Sequence, residues 1–170
     1  MSICLTLSEQ LDQEIHDKGI ILEIASDMPE KFEAYYDNAY GVPNPYITIN
    51  ANVKSERARN ALKAHELGHH ENCICDLLSA PKWIRQKYET LADRWKLQRI
   101  MPIEKLIRAF DLGNTTPIAL SDYLEIPIED IFSGIALYYQ IYGAELQYGQ
   151  YTIYWDPFNI KRDRRRRSAY

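Results

Sequence analysis

Ala61-Leu-Lys-Ala-His-Glu-Leu-Gly-His-His70 decides how the rest of this chain is read, because it holds His65-Glu66-Leu67-Gly68-His69, an H-E-x-x-H pattern. In a helix each residue turns the chain by about 100°, so His65 and His69 stand one turn apart on one face, where both imidazoles reach a single metal ion at roughly 2.0–2.1 Å. Glu66 lies beside that ion without binding it, where a general base must stand to take a proton from water. The helix itself is well specified. Ser55 serves as its cap, Glu56 follows in the first turn, and Ala58, Ala61, Leu62 and Leu67 are good helix formers with no proline among them. Gly68 is the one poor helix former, and its missing side chain lets another backbone pass close to the metal.

Two imidazoles leave a tetrahedral zinc one protein ligand short if the fourth position is to stay open. Downstream, Lys87-Tyr88-Glu89-Thr90-Leu91-Ala92-Asp93 puts two carboxylates at i and i+4 on one helical face, twenty residues past His69. That spacing fits a loop and a returning helix. Glu89 completes a two-histidine, one-carboxylate set, and Asp93 accepts the free ring N–H of a ligating histidine, which fixes its tautomer. Small Ala92 permits a close helix approach. Glu71 is too near His69 along the chain, and Glu104 lies beyond a proline break. His70 points off the metal face, toward a place beside the site or at the surface, and His16 is read as exposed. The alternative for Glu89 and Asp93 taken alone is a solvated charged face.

The metal motif sits in an ordinary globular composition: 170 residues, 46% apolar and 26% charged. No apolar run approaches the roughly 20 residues that span a bilayer, and Glu9, Asp12, Glu14 and Asp17 argue against a secretory signal, so a cytoplasmic protein is expected. Cys4, Cys73 and Cys75 are an odd set without a disulfide framework, in keeping with a reducing compartment. Cys73, four residues after His69, is a thiolate alternative for the metal, although Cys-Ile-Cys lacks zinc-knuckle spacing. Lys161, Arg162 and Arg164 to Arg167 against Asp163 make a tail of +5, leaving −9 on the body for a net −4. Such a tail reads as a mobile end, with an acidic partner or nucleic acid as the minority reading.

Ahead of the motif, Ser8 opens an amphipathic helix closed by Gly19, and strands are expected at Ile20 to Ala25, Phe32 to Tyr36 and Tyr46 to Asn50. In the last of these, Tyr46, Thr48 and Asn50 alternate with Ile47 and Ile49. A sheet edge of that kind could accept an extended peptide substrate, or the strand could simply pack on the helix. From Pro81 onward the pattern is helical, broken at Pro102, near Gly113 and at Pro127. Pro117 to Tyr139 has helix-turn-helix-like spacing. With Asp122, Glu125, Glu129 and Asp130 and no Lys or Arg, that stretch reads as packing or protein-contact surface and not as a DNA reader. Leu146 to Trp155, turning at Gly149, reads as a hairpin.

His65-Glu-x-x-His69 followed by Glu89-x-x-x-Asp93 resembles the gluzincin arrangement of thermolysin-like peptidases. More closely, Tyr46-Ile-Thr-Ile-Asn50, Ala64-His-Glu-Leu-Gly-His69 and Glu89-Thr-Leu-Ala-Asp93 leading to Met101-Pro102 resemble the ImmA/IrrE family of metallo-endopeptidases, across roughly residues 20 to 140. Tyr142-Gly143 and Tyr148-Gly-x-Tyr151 are similar to phage and mobile-element members. The resemblance implies an intracellular zinc protease that cleaves a helix-turn-helix repressor and so derepresses phage, mobile-element or stress genes. Trp95-Lys96 stands where many members have a Phe-Ala pair, a departure that concerns helix packing.

The fold expected is α+β: a small N-terminal sheet packed on a zincin-type H-E-x-x-H helix, a helical C-terminal half and a short C-terminal β-hairpin. Its parts are a metallopeptidase core over 1–102, a helix-turn-helix-like unit over 103–145, the hairpin over 146–160 and the basic tail over 161–170. The expected chemistry is peptide hydrolysis with zinc, or manganese in its place, held by His65, His69 and Glu89, with Glu66 as the base. An oxyanion donor is also needed, and among 13 tyrosines none is singled out. The rival reading is an anti-repressor or adaptor that binds its repressor without cutting it and uses zinc to brace the fold.

Overall fold

The computed structural model describes residues 5–38, 43–72 and 80–163. Leu7, Leu11 and Ile15 recur at helical spacing and are all buried, which makes α1 (Leu7–Asp17) an amphipathic helix lying on the core. Its cap is Thr6, two residues before the expected Ser8. The Thr6 hydroxyl accepts from the Glu9 backbone N–H at 3.2 Å and the Glu9 carboxylate accepts from the Thr6 N–H at 2.8 Å, a reciprocal capping box. Gly19, at φ 69°, then turns the chain into the sheet.

The N-terminal sheet is formed by β1 (Ile21–Ala25), β2 (Ala34–Asp37) and β3 (Tyr46–Asn50) in the order β1-β3-β2. β3 is parallel to β1, with Ile21 opposite Tyr46, and antiparallel to β2, with Tyr36 opposite Ile47. This corrects the edge-strand expectation for Tyr46, Thr48 and Asn50. β3 is the central strand, its backbone is paired on both sides, and it has no free edge to offer an extended peptide. Thr48 and Asn50 are buried along with Ile47 and Ile49. Asn50 serves the fold: its Nδ2 donates to the carbonyls of Phe32 (2.9 Å), Met28 and Pro29 (both 3.3 Å), and its Oδ1 accepts from the Asn52 N–H at 2.9 Å.

Helices α2 (Glu56–Asn72) and α3 (Lys82–Ile100) form the most extensively packed pair of elements. The contact is close because Gly68 has no side chain. A Cβ there would meet the Ala92 carbonyl oxygen at 2.7 Å and its Cα at 2.9 Å. α4 (Ile103–Asp111), α5 (Pro117–Leu124) and α6 (Ile128–Tyr142) follow, with α6 laid against the end of α3: Gly134 faces the Met101 side chain, and the Tyr138 hydroxyl donates to the Met101 carbonyl at 2.7 Å. Two acidic residues of α5 and its C-cap make contacts within the chain. Asp122 pairs with Arg57 at 2.6 Å, the Glu125 carboxylate accepts from the Leu7 N–H, and the Glu125 carbonyl accepts from Asn60.

At the C-terminal end, β4 (Glu145–Tyr148), β5 (Tyr151–Trp155) and β6 (Phe158–Arg162) make an antiparallel sheet in chain order. The expected hairpin therefore has a third strand, and the expected basic tail begins inside it. Lys161 and Arg162 belong to β6 because Ile160 is buried opposite Ile153, and Arg162 pairs with Asp111 at 3.0 Å. Trp155 stacks among Tyr138, Tyr142 and Phe158 and ties this sheet to α6. One hydrophobic cluster runs from Leu7 through Ile47, Leu67, Met101 and Ile131 to Ile160, so the class is α+β around a continuous core. No helix among the described residues is long and apolar enough to cross a membrane. Cys4, Cys73, Cys75 and residues 164–170 lie outside the described residues, and so do the thiolate alternative and the rest of the tail.

Candidate metal centre

α2 carries His65 and His69 on the face that meets α3, and α3 carries Glu89 and Asp93 on the face that meets α2. The Gly68–Ala92 contact sets how near the two faces come. The result is a triangle of donor atoms: His65 Nε2 to His69 Nε2 is 3.1 Å, Glu89 Oε2 to His65 Nε2 is 3.2 Å, and Glu89 Oε2 to His69 Nε2 is 3.4 Å. Ligand atoms roughly 2.0–2.1 Å from a tetrahedral ion stand roughly 3.3 Å apart. The spacing and chemistry of the three donors therefore fit a divalent cation such as zinc, which His65, His69 and Glu89 would hold. Among the described residues this is the group of His, Cys, Asp and Glu side chains close enough to hold such an ion.

The two histidines differ in their surroundings. His65 Nδ1 faces Asp93 Oδ1 at 3.0 Å. With Asp93 ionised, that nitrogen carries the proton and leaves the Nε2 lone pair on the triangle. Burial alone would lower the His65 pKa, but the hydrogen bond that its ring donates to Asp93 and the charges of Glu66, Asp93 and Glu89 outweigh it and raise it. The same hydrogen bond, helped by Lys96, holds the Asp93 carboxyl below its usual range against the opposing effect of burial. His69 is lowered by burial and by the neighbouring His65, and its buried Nδ1 has no partner among the described residues.

Glu66 is buried, 5% exposed, and is not one of the three donors. Burial pushes its carboxyl up to about 7, with Glu89 adding to the rise and His65 opposing it. The backbone N–H of Tyr36 in β2 donates to this carboxylate, so the small sheet holds the acid that the helix presents. A buried carboxyl that feels the charges of His65 and Glu89 is suited to taking a proton and returning it once a cation offsets the penalty of burial.

His70 stands outside the triangle, half-buried, with its Nδ1 2.9 Å from the Tyr36 hydroxyl and its pKa lowered by burial. Glu71 pairs with Lys18, Glu104 contacts the Tyr148 hydroxyl, and His16 is exposed, so none of these competes for the metal. Tyr46, Thr48 and Asn50 lie on the central strand of the sheet and supply none of the three donors. Sequence reasoning missed Tyr36, Lys96 and Asp130. Lys96 follows Asp93 by three residues, a helical spacing that could have found it.

No family model matches the chain. A stretch of 64 residues, 37% of this chain, is 38% identical to serine/threonine-protein kinase 31 of Homo sapiens. The chain spans about 6% of that protein's length, so the likeness is local.

Proposed function

We propose that this chain is a zinc-dependent endopeptidase. The observation that carries the proposal is the near-equilateral triangle of His65, His69 and Glu89 donor atoms, with the buried Glu66 carboxyl on the same helix as the histidines and within reach of the charges of His65 and Glu89. A bound zinc, or manganese in its place, supplies Lewis-acid polarisation of the scissile carbonyl and acidifies the attacking water. Everything else falls to this chain's own groups. His65, His69 and Glu89 hold the cation. Asp93 keeps the proton on His65 Nδ1. Glu66 takes a proton from the attacking water and passes it to the leaving amine nitrogen, and the Tyr36 N–H keeps its carboxylate turned to that task.

The proposed substrate is a helix-turn-helix repressor and the proposed setting the cytoplasm, with derepression of phage, mobile-element or stress genes as the consequence. Support for these comes from the resemblance of the Ala64–His69 and Glu89–Asp93 segments to the ImmA/IrrE metallo-endopeptidases. Incubating the purified chain and zinc with a repressor encoded beside it, followed by mass spectrometry of the products, tests the reading. Cleavage by the wild type, with Glu66→Gln retaining zinc but leaving the repressor whole, is the expected result. Undiminished cleavage by Glu66→Gln would overturn the role of Glu66. An intact repressor in a lasting complex with the wild type would replace the protease with a non-cleaving anti-repressor.

A further inference from the structure

Lys96 lies one turn along α3 from Asp93, and its ammonium stands between two carboxylates. Its Nζ is 3.4 Å from Asp93 Oδ1 and 3.0 Å from Asp130 Oδ1 in the first turn of α6. Asp93 Oδ1 is also the oxygen that meets His65 Nδ1 at 3.0 Å. A line of alternating groups thus runs from α6 to the donor triangle: Asp130 carboxylate, Lys96 ammonium, Asp93 carboxylate, His65 imidazole. The two members farther from the triangle are withdrawn from water, with side chains 16% exposed for Lys96 and 11% for Asp130, whereas the Asp93 side chain is 55% exposed.

That difference in exposure matters. A carboxylate more than half in water is free to turn about its χ angles, and a hydrogen bond to one ring nitrogen is a weak restraint at such a site. Lys96 supplies a second restraint on the same oxygen. A lysine on a four-carbon stem has little orienting power unless its own head is fixed, and the buried Asp130 carboxylate on a separate helix fixes it. Asp130 also cancels a positive charge that would otherwise oppose a dication bound nearby.

We propose that Lys96, anchored by Asp130, is a positioning residue for the metal centre: it holds the Asp93 carboxylate on His65 Nδ1 and thereby keeps the His65 Nε2 lone pair on the donor triangle. The inference rests on the metal-binding reading and extends it to α6, so that a helix carrying no ligand helps set the affinity of the site.

The test uses the full chain. Zinc affinity is measured by competition with a chromophoric chelator, and the His65 tautomer by long-range proton–nitrogen NMR of the chelator-treated protein. Lys96→Met is expected to weaken zinc by about tenfold, the lower end of what lost outer-shell contacts cost, and to shift His65 from a pure Nδ1–H form toward a tautomer mixture. Lys96→Arg, which keeps the charge and can reach both carboxylates, is expected to recover most of the affinity. Asp130→Asn is expected to weaken zinc in the same direction and gives a second route if Lys96→Met does not fold. A bridge that merely clamps α6 to α3 predicts lower stability of the Lys96→Met and Asp130→Asn proteins with wild-type zinc affinity and an unchanged His65 tautomer, and that result overturns the proposal. If the wild type itself takes up no zinc, the metal-binding reading falls, which separates its failure from that of Lys96.

Discussion

Gly68 of α2 and Ala92 of α3 touch backbone to backbone, and the donor triangle is built across that contact. A Cβ at residue 68 would come within 2.9 Å of the Ala92 Cα and 2.7 Å of its carbonyl oxygen, and neither can swing aside as a side-chain tip would. His65 and His69 lie on one side of the contact and Glu89 and Asp93 on the other. Gly68→Ala must therefore move the helices apart. Overpacking of this kind costs roughly 1–3 kcal/mol, partly offset by the roughly 1 kcal/mol that Ala gains over Gly in a helix. The expected outcome is a chelator-treated protein destabilised by up to about 2 kcal/mol in urea unfolding, with zinc affinity lowered by about tenfold or more because the three donors lose their common centre. Trimming the neighbour with Ala92→Gly should not restore either value, since the clash is with main chain. Wild-type zinc affinity in Gly68→Ala would show that the helix spacing does not set the triangle.

Zinc should reveal itself in stability before any substrate is found. An ion that binds the native chain alone stabilises it by about 2.7 kcal/mol at a hundredfold excess over Kd. Thermal unfolding with and without zinc reads this directly. His65→Ala and His69→Ala should each lose the zinc-dependent rise, and Glu89→Gln most of it. Glu66→Gln should keep it, since Glu66 is not part of the triangle. A rise that survives loss of either histidine would place the ion elsewhere.

The helices of the site were legible because their signals are local. One turn separates His65 from His69, one turn separates Glu89 from Asp93, and the small residues Gly68 and Ala92 mark where the two helices meet. Less could be read where a feature depends on neighbours distant in sequence. Alternation along Tyr46–Asn50 tells which side chains share a face but not which strands lie alongside. The parallel pairing of β1 with β3, which pushes β2 to the outside, leaves no mark in either strand. β6 was hidden by its charge: Lys161 and Arg162 looked like the start of a solvated tail, whereas Ile160 is buried and Arg162 is neutralised by Asp111. Lys96 and Asp130 are 34 residues apart, with no periodicity to connect them.

The corrected role of Asn50 makes its own prediction. Its amide is buried, donating to three loop carbonyls and accepting from the Asn52 N–H. Asn50→Ala leaves those groups short of partners inside the protein, at about 1–3 kcal/mol. Asn50→Asp should be no better, because a carboxylate offers no donor to the carbonyls of Met28, Pro29 and Phe32. Both variants should unfold at lower urea, and β2, which carries the Tyr36 N–H that holds Glu66, should loosen with them. If Asn50 instead contacted substrate, Asn50→Ala would raise KM while leaving the urea midpoint within about 0.5 kcal/mol of wild type, the usual range for a substitution that breaks nothing structural.

Glu66 should give the chelator-treated protein a distinctive pH dependence. Its carboxyl titrates at about 7 when folded against a model value of 4.5, chiefly because burial penalises the charged form. Between those values the folded state holds a proton that the unfolded chain has released, so stability falls as pH rises. The favourable contribution of the neutral acid is fully present below 4.5 and is lost by the time pH has passed 7. The whole shift corresponds to on the order of 3 kcal/mol. Glu66→Gln is uncharged throughout. Its stability relative to wild type should be smallest near pH 4.5 and climb by up to that amount by pH 8, as measured by urea unfolding in chelator. Taking the difference between the two proteins isolates Glu66 together with its charge coupling to His65. Zinc should flatten the climb, because a dication beside Glu66 favours its ionised form and draws its pKa back down. A difference that stays level from pH 4.5 to 8 in chelator would mean that burial does not hold the Glu66 carboxyl protonated in the folded chain.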